Sequence, residues 1–338
     1  MDHDLLPADT VNIHAFTSST LRPPIFYLYK GGSVPLHVTH LRIDKSIEDL
    51  ADEIFSESSN IREVEMHDRV YRIGKLAFYN CRCLERISGA TGVRVIDEGA
   101  FYRCTRLNDL EFGSKKLECI GLGAFSRCPS LRGLKIPSVR IVQGFAFQHC
   151  VNMTDLEFGE ALERVEESAF LNCSSLRRLA MPLKRGIISN DTVFKGCRNM
   201  TNIELVGKVQ NMISHFMQEW KDEMNNEIGQ INQVLSTVPI DGKTAAVQQW
   251  IGRCLDRVEH FTNEHNKSLV ESATILELFL WRSSLNGETN HDDGFAHEAQ
   301  PKKRARRIDD VHSGRQERRM ICGANIVVKN VLSFLQLK

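Results

Sequence analysis

The sequence lacks an excess of charge of either sign, an apolar run long enough to cross a membrane, and an N-terminal leader. Its 338 residues carry 43 basic and 43 acidic side chains, which argues against a globally basic nucleic-acid binder and against a strongly acidic, solvating chain. No apolar run reaches the roughly 18 residues of a membrane-spanning helix. Residues 1–4 have neither the basic region nor the apolar run of a signal peptide. These absences predict a soluble intracellular protein, in the nucleus or the cytoplasm, with no membrane partner.

Motifs of catalysis and metal binding are missing as well. There is no G-x-S-x-G, Walker A or G-x-G-x-x-G motif, and Gly121 and Gly123 lack the third glycine of the last of these. The twelve histidines form no H-x-x-x-H or HExxH spacing, and Cys81 and Cys83 have no second cysteine pair nearby that would complete a zinc site. We therefore expect no catalytic site, no metal and no cofactor. The protein is predicted not to be an enzyme, and an enzyme with a site dispersed along the chain is the alternative left open.

The sequence does contain a repeat of 22 to 24 residues. Its marker is a phenylalanine that follows Ala or Val and precedes a cysteine by three positions: Phe78, Phe101, Phe125, Phe147, Phe170 and Phe194. Apolar residues at fixed spacing after each cysteine end the unit in the alternation of a short, half-buried strand. Such a period is typical of a solenoid, whose stacked units bury columns of Phe, Cys and Leu that no unit could bury alone. A weaker unit around Phe55 brings the predicted number of coils to about seven.

Six of the ten cysteines hold one position of the repeat: Cys81, Cys104, Cys128, Cys150, Cys173 and Cys197. The simplest interpretation is a column of buried, reduced thiols that pack as small apolar side chains. Neighbouring coils would bring the thiols near disulfide range, but an intracellular location disfavours such bridges. The positions between Phe and Cys vary, and we expect their occupants, among them Arg103, Arg127 and His149, to be solvated.

The pattern A-F-x-x-C-x-x-L-x-x-L-x-[FI] resembles the BspA-type leucine-rich repeat over residues 38–206. The resemblance implies a right-handed solenoid with a parallel sheet along one side, a role in protein–protein and surface interaction, and no catalytic residues to transfer. The N-terminal extension and the tail are similar to those of BspA-type proteins from eukaryotic microalgae. The predicted fold class is α+β, with a leucine-rich-repeat solenoid of parallel strands in about seven coils followed by a small all-α module.

The predicted domain boundaries follow changes in composition and period. They delimit a loose N-terminus with a capping hairpin, the solenoid, a helical module, a disordered basic loop and a C-terminal segment that docks onto the helices: 1–37, 38–206, 207–285, 286–314 and 315–338. The hairpin is inferred from apolar runs on either side of Gly31 and Gly32. The loop is poor in apolar residues and rich in Gly, Asn, Asp and charge.

The helical module begins where apolar residues adopt a period near 3.6. A first helix is predicted over 209–235, a second over about 244–261 and a third over about 268–285. One long bent helix over 244–285 is the alternative to the second and third.

Residues 275–281 are apolar on nearly every side of the predicted helix. A helix of this kind must be covered, so we expect it to be buried in the module or against the last coil near Val206. The alternative is an exposed surface for a dimer or a partner.

Outward-facing positions of the predicted sheet carry charges whose signs nearly alternate from coil to coil. They form a candidate interaction face: Glu63, Arg86, Asp109, Glu111, Lys135, Asp155, Glu157, Arg178 and Glu204. Opposite charges on neighbouring strands attract each other, so the set is either a self-neutralising ladder or a mixed-charge surface that recognises a protein. Neither is a uniformly positive groove, which argues against nucleic acid on this face.

A basic segment lies inside the predicted disordered loop and contains five positive charges: Lys302, Lys303, Arg304, Arg306 and Arg307. It resembles a monopartite nuclear localisation signal, because an exposed basic strip can bind an acidic groove of an import receptor. The preferred function is a non-enzymatic protein–protein interaction scaffold. The alternative is a nuclear, nucleic-acid-associated factor that uses the basic tail.

Overall fold

The computed structural model describes residues 24–113, 116–207, 209, 213 and 218–287. They form a solenoid of parallel strands with about seven coils, followed by two helices. Each coil consists of a longer front strand, a short back strand and a tight turn around its phenylalanine. The predicted α+β class is confirmed.

The front strands pair in parallel and form two sheets. The first has five strands in this order: β1 (Phe26–Tyr29), β2 (His40–Ile43), β4 (Glu63–Glu65), β6 (Arg86–Ala90) and β8 (Asp109–Phe112). The second has four: β10 (Gly133–Ile136), β12 (Asp155–Phe158), β14 (Arg178–Pro182) and β15 (Asn202–Val206). Equivalent residues of successive units face each other, so Leu156 lies between Leu134 and Leu179. The predicted Leu-type column therefore forms the buried side of these sheets.

The back strands are two residues long and form one parallel sheet of six strands. In chain order they are β3 (Asp49–Leu50), β5 (Arg72–Ile73), β7 (Val95–Ile96), β9 (Cys119–Ile120), β11 (Ile141–Val142) and β13 (Arg164–Val165). The second residue of each strand is buried. The core thus lies between the front and back sheets.

The phenylalanines stack as a continuous column through this core. From Phe78 to Phe194, successive ring centroids lie 5.1–5.7 Å apart with interplanar angles of 3–9°. None of these rings is more than 1 % exposed. The stacked-column prediction is confirmed.

The cysteine column has a polar role besides packing. Each of its six thiols donates a hydrogen bond of 3.0–3.2 Å to the carbonyl oxygen of the phenylalanine one coil before, as Cys128 does to Phe101. All six are buried and free. Their predicted burial is confirmed, and the hydrogen bond gives the turn a link that the sequence pattern did not indicate.

Replacing Phe101 by alanine is expected to lower the free energy of unfolding by about 3–5 kcal/mol, because it leaves a cavity in the middle of the column. The lost ring stacks on both neighbours, at 5.2 Å from Phe78 and 5.1 Å from Phe125. A denaturant titration would measure the change. Tyr71→Ala is the control, since this ring is 46 % exposed and its loss should cost at most about 0.5 kcal/mol. A loss below about 1 kcal/mol for Phe101→Ala would contradict the stacked-column interpretation.

The predicted N-terminal hairpin is wrong. β1 pairs in parallel with β2, with Phe26 opposite His40, and residues 34–38 form no strand. The chain turns through Gly31 and Gly32, whose φ angles of 116° and 81° favour glycine. It then returns to the starting end of β1 before β2 begins, so β1 extends the solenoid's own sheet instead of folding back on a partner strand.

The two helices are α1 (Gln218–Thr237) and α2 (Lys243–Gly287), joined through a 3-10 turn at Ile240–Gly242. Residues 244–285 belong to one helix, so the single-helix alternative is confirmed and the two-helix prediction is wrong. α1 packs against the first half of α2, where the rings of Trp220 and Phe261 stack 5.1 Å apart.

The far end of α2 is exposed, which contradicts the prediction that 275–281 is buried. Ile275 is 67 % exposed and Phe279 is 68 % exposed. Among the described residues, the ring of Trp220 near the start of α1 stacks on Phe261, well before residue 275 of α2. Within the part of the chain that is described, no helix has the length and apolar character needed to cross a membrane.

Candidate interaction face

The predicted charged face lies on the outer side of the two front sheets, and its second half is self-neutralised. Arg178 donates two hydrogen bonds to Glu204, at 2.8 and 2.6 Å, and lies 3.7 Å from Glu157. These hydrogen bonds hold the pKa of Glu204 below its ordinary value. Lys135 lies 3.2 Å from Glu157. From β10 to β15 the charges therefore form the ladder of opposite signs that the sequence predicts.

The first half of the face is paired differently. Arg86 binds Asp109 at 2.8 Å. Glu63 is opposite Arg86 in the register of β4 and β6, but its carboxylate lies 3.7 Å from the ring of His40. Glu111 has no ion-pair partner among the described residues. The alternation of charge from coil to coil would place it beside Lys135, but the strands that carry the two residues are not hydrogen-bonded to each other.

The front surface is interrupted between β8 and β10. In other coils a carbonyl before the strand accepts two N–H groups of the next coil, as Arg132 O does from Thr154 and Asp155. The equivalent carbonyl of Asn108 receives no such bonds within the described chain. A register shift between Ile87 and Ala90 displaces β8 relative to β6 just before this point. The face is thus two sheets with a break, not one continuous sheet.

The break opens a polar cleft. We call it the cleft and define it as a cavity of about 430 Å³ whose lining is Asn108, Asp109, Ser130, Arg132 and Asn152. Beside it lies a notch of about 230 Å³ at Gly133, where the outward side chain is missing; its walls are Leu134, Lys135, Asp155, Glu157 and Arg178. The candidate face therefore combines a neutralised ladder with a concave polar region.

Sequence reasoning identified Asp109 in the cleft but missed the other four lining residues. They occupy positions of the repeat that vary freely, so the periodic pattern assigns them no role. The glycine in an outward strand position was the available signal, because glycine inside a strand marks irregular pairing or close approach. The predicted basic segment, 302–307, lies outside the described residues, and its role in nuclear import remains a prediction.

Comparison with known proteins agrees with the geometry. A family model described as the BspA type leucine rich repeat region matches residues 35–143 and 120–222, in six copies. No curated protein matches the chain.

Among solved structures, a leucine-rich repeat protein of T. pallidum (TpLRR) is 23 % identical, with a TM-score of 0.35, and the match covers 49 % of this chain and 68 % of that one. A leucine-rich repeat protein of Bacteroides ovatus is 18 % identical, with a TM-score of 0.33 and coverage of 50 % and 61 %. The pneumococcal vaccine antigen PcpA is 18 % identical, with a TM-score of 0.33 and coverage of 53 % and 54 %. Because the family model covers more than half of its residues, this chain belongs to the BspA-type leucine-rich repeat family.

Proposed function

We propose that the protein is a non-enzymatic scaffold that binds a protein partner through its front face, centred on the cleft. One observation supports this most strongly: Arg132 in the cleft and Glu111, two residues after the cleft residue Asp109 on β8, carry charges that the solenoid does not use for itself. Glu111 and Arg132 are both exposed and neither makes an ion pair within the described part of the chain, while Arg178 and Glu204 beyond them are fully paired.

The chemistry of the cleft fits a polypeptide. Asn108 and Asn152 each present an amide that can both donate to and accept from a peptide backbone. The Ser130 hydroxyl donates to the carbonyl of Thr105 at 2.7 Å and adds an acceptor. Arg132 and Glu111 select for a segment that carries one charge of each sign. Because the lining residues are positioned by stacked coils with a close-packed core, little conformational entropy would be lost on binding.

A charge exchange at the cleft tests the proposal. Glu111→Lys combined with Arg132→Glu keeps the net charge and alters two exposed side chains, so stability should change by at most about 0.5 kcal/mol for each. The matched control exchanges a pair on the back of the solenoid, Arg140→Glu with Glu163→Lys, whose wild-type atoms lie 2.8 Å apart.

A partner captured with the wild-type chain, then purified, should bind the control with an unchanged Kd. It should bind the cleft variant at least about tenfold more weakly, which corresponds to about 1.4 kcal/mol. If every captured protein binds the cleft variant as tightly as the wild type, the cleft is not the binding surface.

A further inference from the structure

A second surface of the solenoid is positively charged although the chain as a whole is neutral. We call it the turn face: the two residues between Phe and Cys in each unit and the two residues after Cys, from the unit of Phe55, where Ser58 replaces the cysteine, to that of Phe194. Two of its members, Ser130 and Asn152, also line the cleft. It contains one acid, Glu57, against six basic residues: Arg82, Arg103, Arg106, Arg127, Lys195 and Arg198. Basic residues are therefore concentrated on the turn face, although the whole chain carries no net charge.

The second residue after each phenylalanine adopts a left-handed backbone conformation. We call this position of the repeat the slot. The φ angle there is 60° at Arg103, 61° at Arg127 and 58° at His149. Asparagine occupies the slot in two other coils, with φ angles of 57° at Asn80 and 62° at Asn172. Asparagine visits this conformation readily, whereas a long side chain such as arginine does so at a cost. Since the fold accepts asparagine here, it does not require arginine in the two middle coils.

These residues converge on one shallow cavity of about 320 Å³, which we call the basic depression. Its lining is Arg82, Arg103, Thr105, Arg127, Pro129, His149 and Val151. The amide of Arg103 bonds Ser126 O and that of Arg127 bonds Gln148 O, so the slot residues sit in consecutive coils. Consecutive parallel strands lie about 4.8 Å apart, and the positive groups are spaced accordingly.

The arginines of the basic depression have no carboxylate partner among the described residues. Arg82 donates to the amide oxygen of Asn80 at 2.9 Å, and the guanidinium of Arg103 lies 5.5 Å from the ring centroid of Tyr102. Burial and the charge of Arg127 lower the pKa of His149, as expected beside an unneutralised cation.

Arg72 shows how a solenoid arginine can be neutralised. On the back sheet Arg72 binds three aspartates: Asp49 at 3.1 Å, Asp52 at 2.7 Å and Asp97 at 2.6 Å. In the basic depression, mutual repulsion and left-handed backbone conformation both act against folding, and no carboxylate within the described chain neutralises the positive charge. A negatively charged ligand would neutralise this positive charge.

We propose that the basic depression binds a phosphoryl dianion carried on a side chain of a protein partner. Three guanidinium forks and an imidazole can together serve the three oxygens and nearly two charges of a phosphate ester, which a carboxylate does not match. The cavity is shallow, which suits a group presented from another chain. This proposal depends on the proposed function in one respect, which is that the partner is a protein. The residues that would bind the dianion all lie outside the cleft.

The test is a titration of the full chain with the peptide Gly-Ser-Gly-phosphoSer-Gly-Ser-Gly, compared with the same peptide carrying Glu or unmodified Ser. At one ionic strength we expect the phosphopeptide to bind at least about tenfold more tightly than the Glu peptide. Arg103→Asn with Arg127→Asn should weaken phosphopeptide binding by at least about tenfold. Arg94→Asn with Arg177→Asn, two exposed arginines outside the basic depression, should change it by less than about twofold.

The asparagine variant also excludes misfolding as a cause of lost binding. Because it relieves both repulsion and the left-handed strain, its Tm should rise, by about 2–4 °C for each kcal/mol gained. Three outcomes would overturn the proposal: equal binding of the phosphoserine and Glu peptides, unchanged binding by the asparagine variant, or a lower Tm for that variant. None of these outcomes depends on whether the cleft binds a partner.

Discussion

A fragment that ends at Gly207 is expected to aggregate instead of folding into a soluble solenoid, because it lacks the two helices that cover the last coil. In the fragment β15 becomes an open edge of the second sheet, and the core under Met200 and Ile203 loses its cover. An exposed apolar patch of this kind together with an unpaired strand edge is a known route to aggregation.

The helices do more than cover apolar surface, since their side chains replace the hydrogen bonds of a further coil. In an inner coil, Phe170 N donates to the carbonyl of Val193 in the next coil. In the last coil, Phe194 N donates to Thr244 Oγ1 at 3.0 Å, and Ile203 N of β15 donates to Asn232 Oδ1 at 2.9 Å.

Lys243 alone makes two of the hydrogen bonds that cap the last coil. Its ammonium group donates to the carbonyls of Arg198 and Met200, both at 2.8 Å, and only 3 % of the residue is exposed. Lys243→Ala should therefore lower the free energy of unfolding by about 2–4 kcal/mol, because two buried carbonyls lose their donor. Lys267→Ala, on an exposed part of α2, is the control and should change it by at most about 0.5 kcal/mol.

The truncated fragment and the point variants test the cap in two complementary ways. Sedimentation of the fragment reports whether the uncovered coil self-associates, and a urea titration of the point variants reports how much each cap bond contributes. A monomeric 1–207 fragment that unfolds cooperatively would contradict the capping role, whatever the point variants show.

The parts of the fold that could be predicted are those where one physical demand repeats in every coil. Phe125, Cys128 and Leu131 recur at fixed spacing because each must fill the same place in a column, and the structure places them there. The break between β8 and β10 could not be predicted in this way. It depends on a register shift between Ile87 and Ala90, and pairing of strands is a property of two coils together that a column-by-column interpretation does not contain.

The repeat pattern does not say how neighbouring coils and helices pack together, and this explains the other predictions that differ from the structure. Glu111 and Lys135 are one coil apart in the repeat, but ion pairing requires their strands to be neighbours in one sheet, which they are not. An apolar helical segment such as 275–281 predicts that a cover is needed and does not identify what supplies it. The basic depression was overlooked because Arg103, Arg127 and His149 occupy a variable slot, where each looks like an isolated surface residue until the coils are stacked.

Raising the pH above 9 is expected to unfold the solenoid far more steeply than is usual for a protein of this size. Burial raises the pKa of every thiol in the cysteine column, to about 12 for Cys81, Cys150 and Cys197 and well upward for Cys104 and Cys128. Cys173 behaves in the same way, and the charge of neighbouring thiolates adds to the effect of burial in several of the six. In the unfolded chain these thiols ionise near their ordinary pKa of about 9.

Proton linkage determines whether the free energy of unfolding rises or falls with pH. A raised pKa in the folded state contributes stability that is complete below the unfolded pKa and is lost as the pH rises toward the folded pKa. Each thiol removes about 1 kcal/mol between pH 9 and 10, because ionisation of the unfolded chain is half complete at pH 9, and about 1.4 kcal/mol over the next pH unit. Six thiols therefore remove about 6 and then about 8 kcal/mol. A domain has about 5–15 kcal/mol of stability in total, and the solenoid should therefore unfold between about pH 10 and 11.

Urea titrations at several pH values between 9 and 10, with reductant present, would measure this slope before most tyrosines and lysines ionise. Cys104→Ser removes one titrating thiol and keeps a donor for the carbonyl of Phe78, to which the thiol bonds at 3.1 Å in the wild type. Its slope over this interval should be shallower than that of the wild type by about 1 kcal/mol per pH unit. If the free energy of unfolding stays flat across this interval, the column thiols must already be ionised or exposed in the folded protein, and their role as buried donors to the phenylalanine carbonyls is wrong.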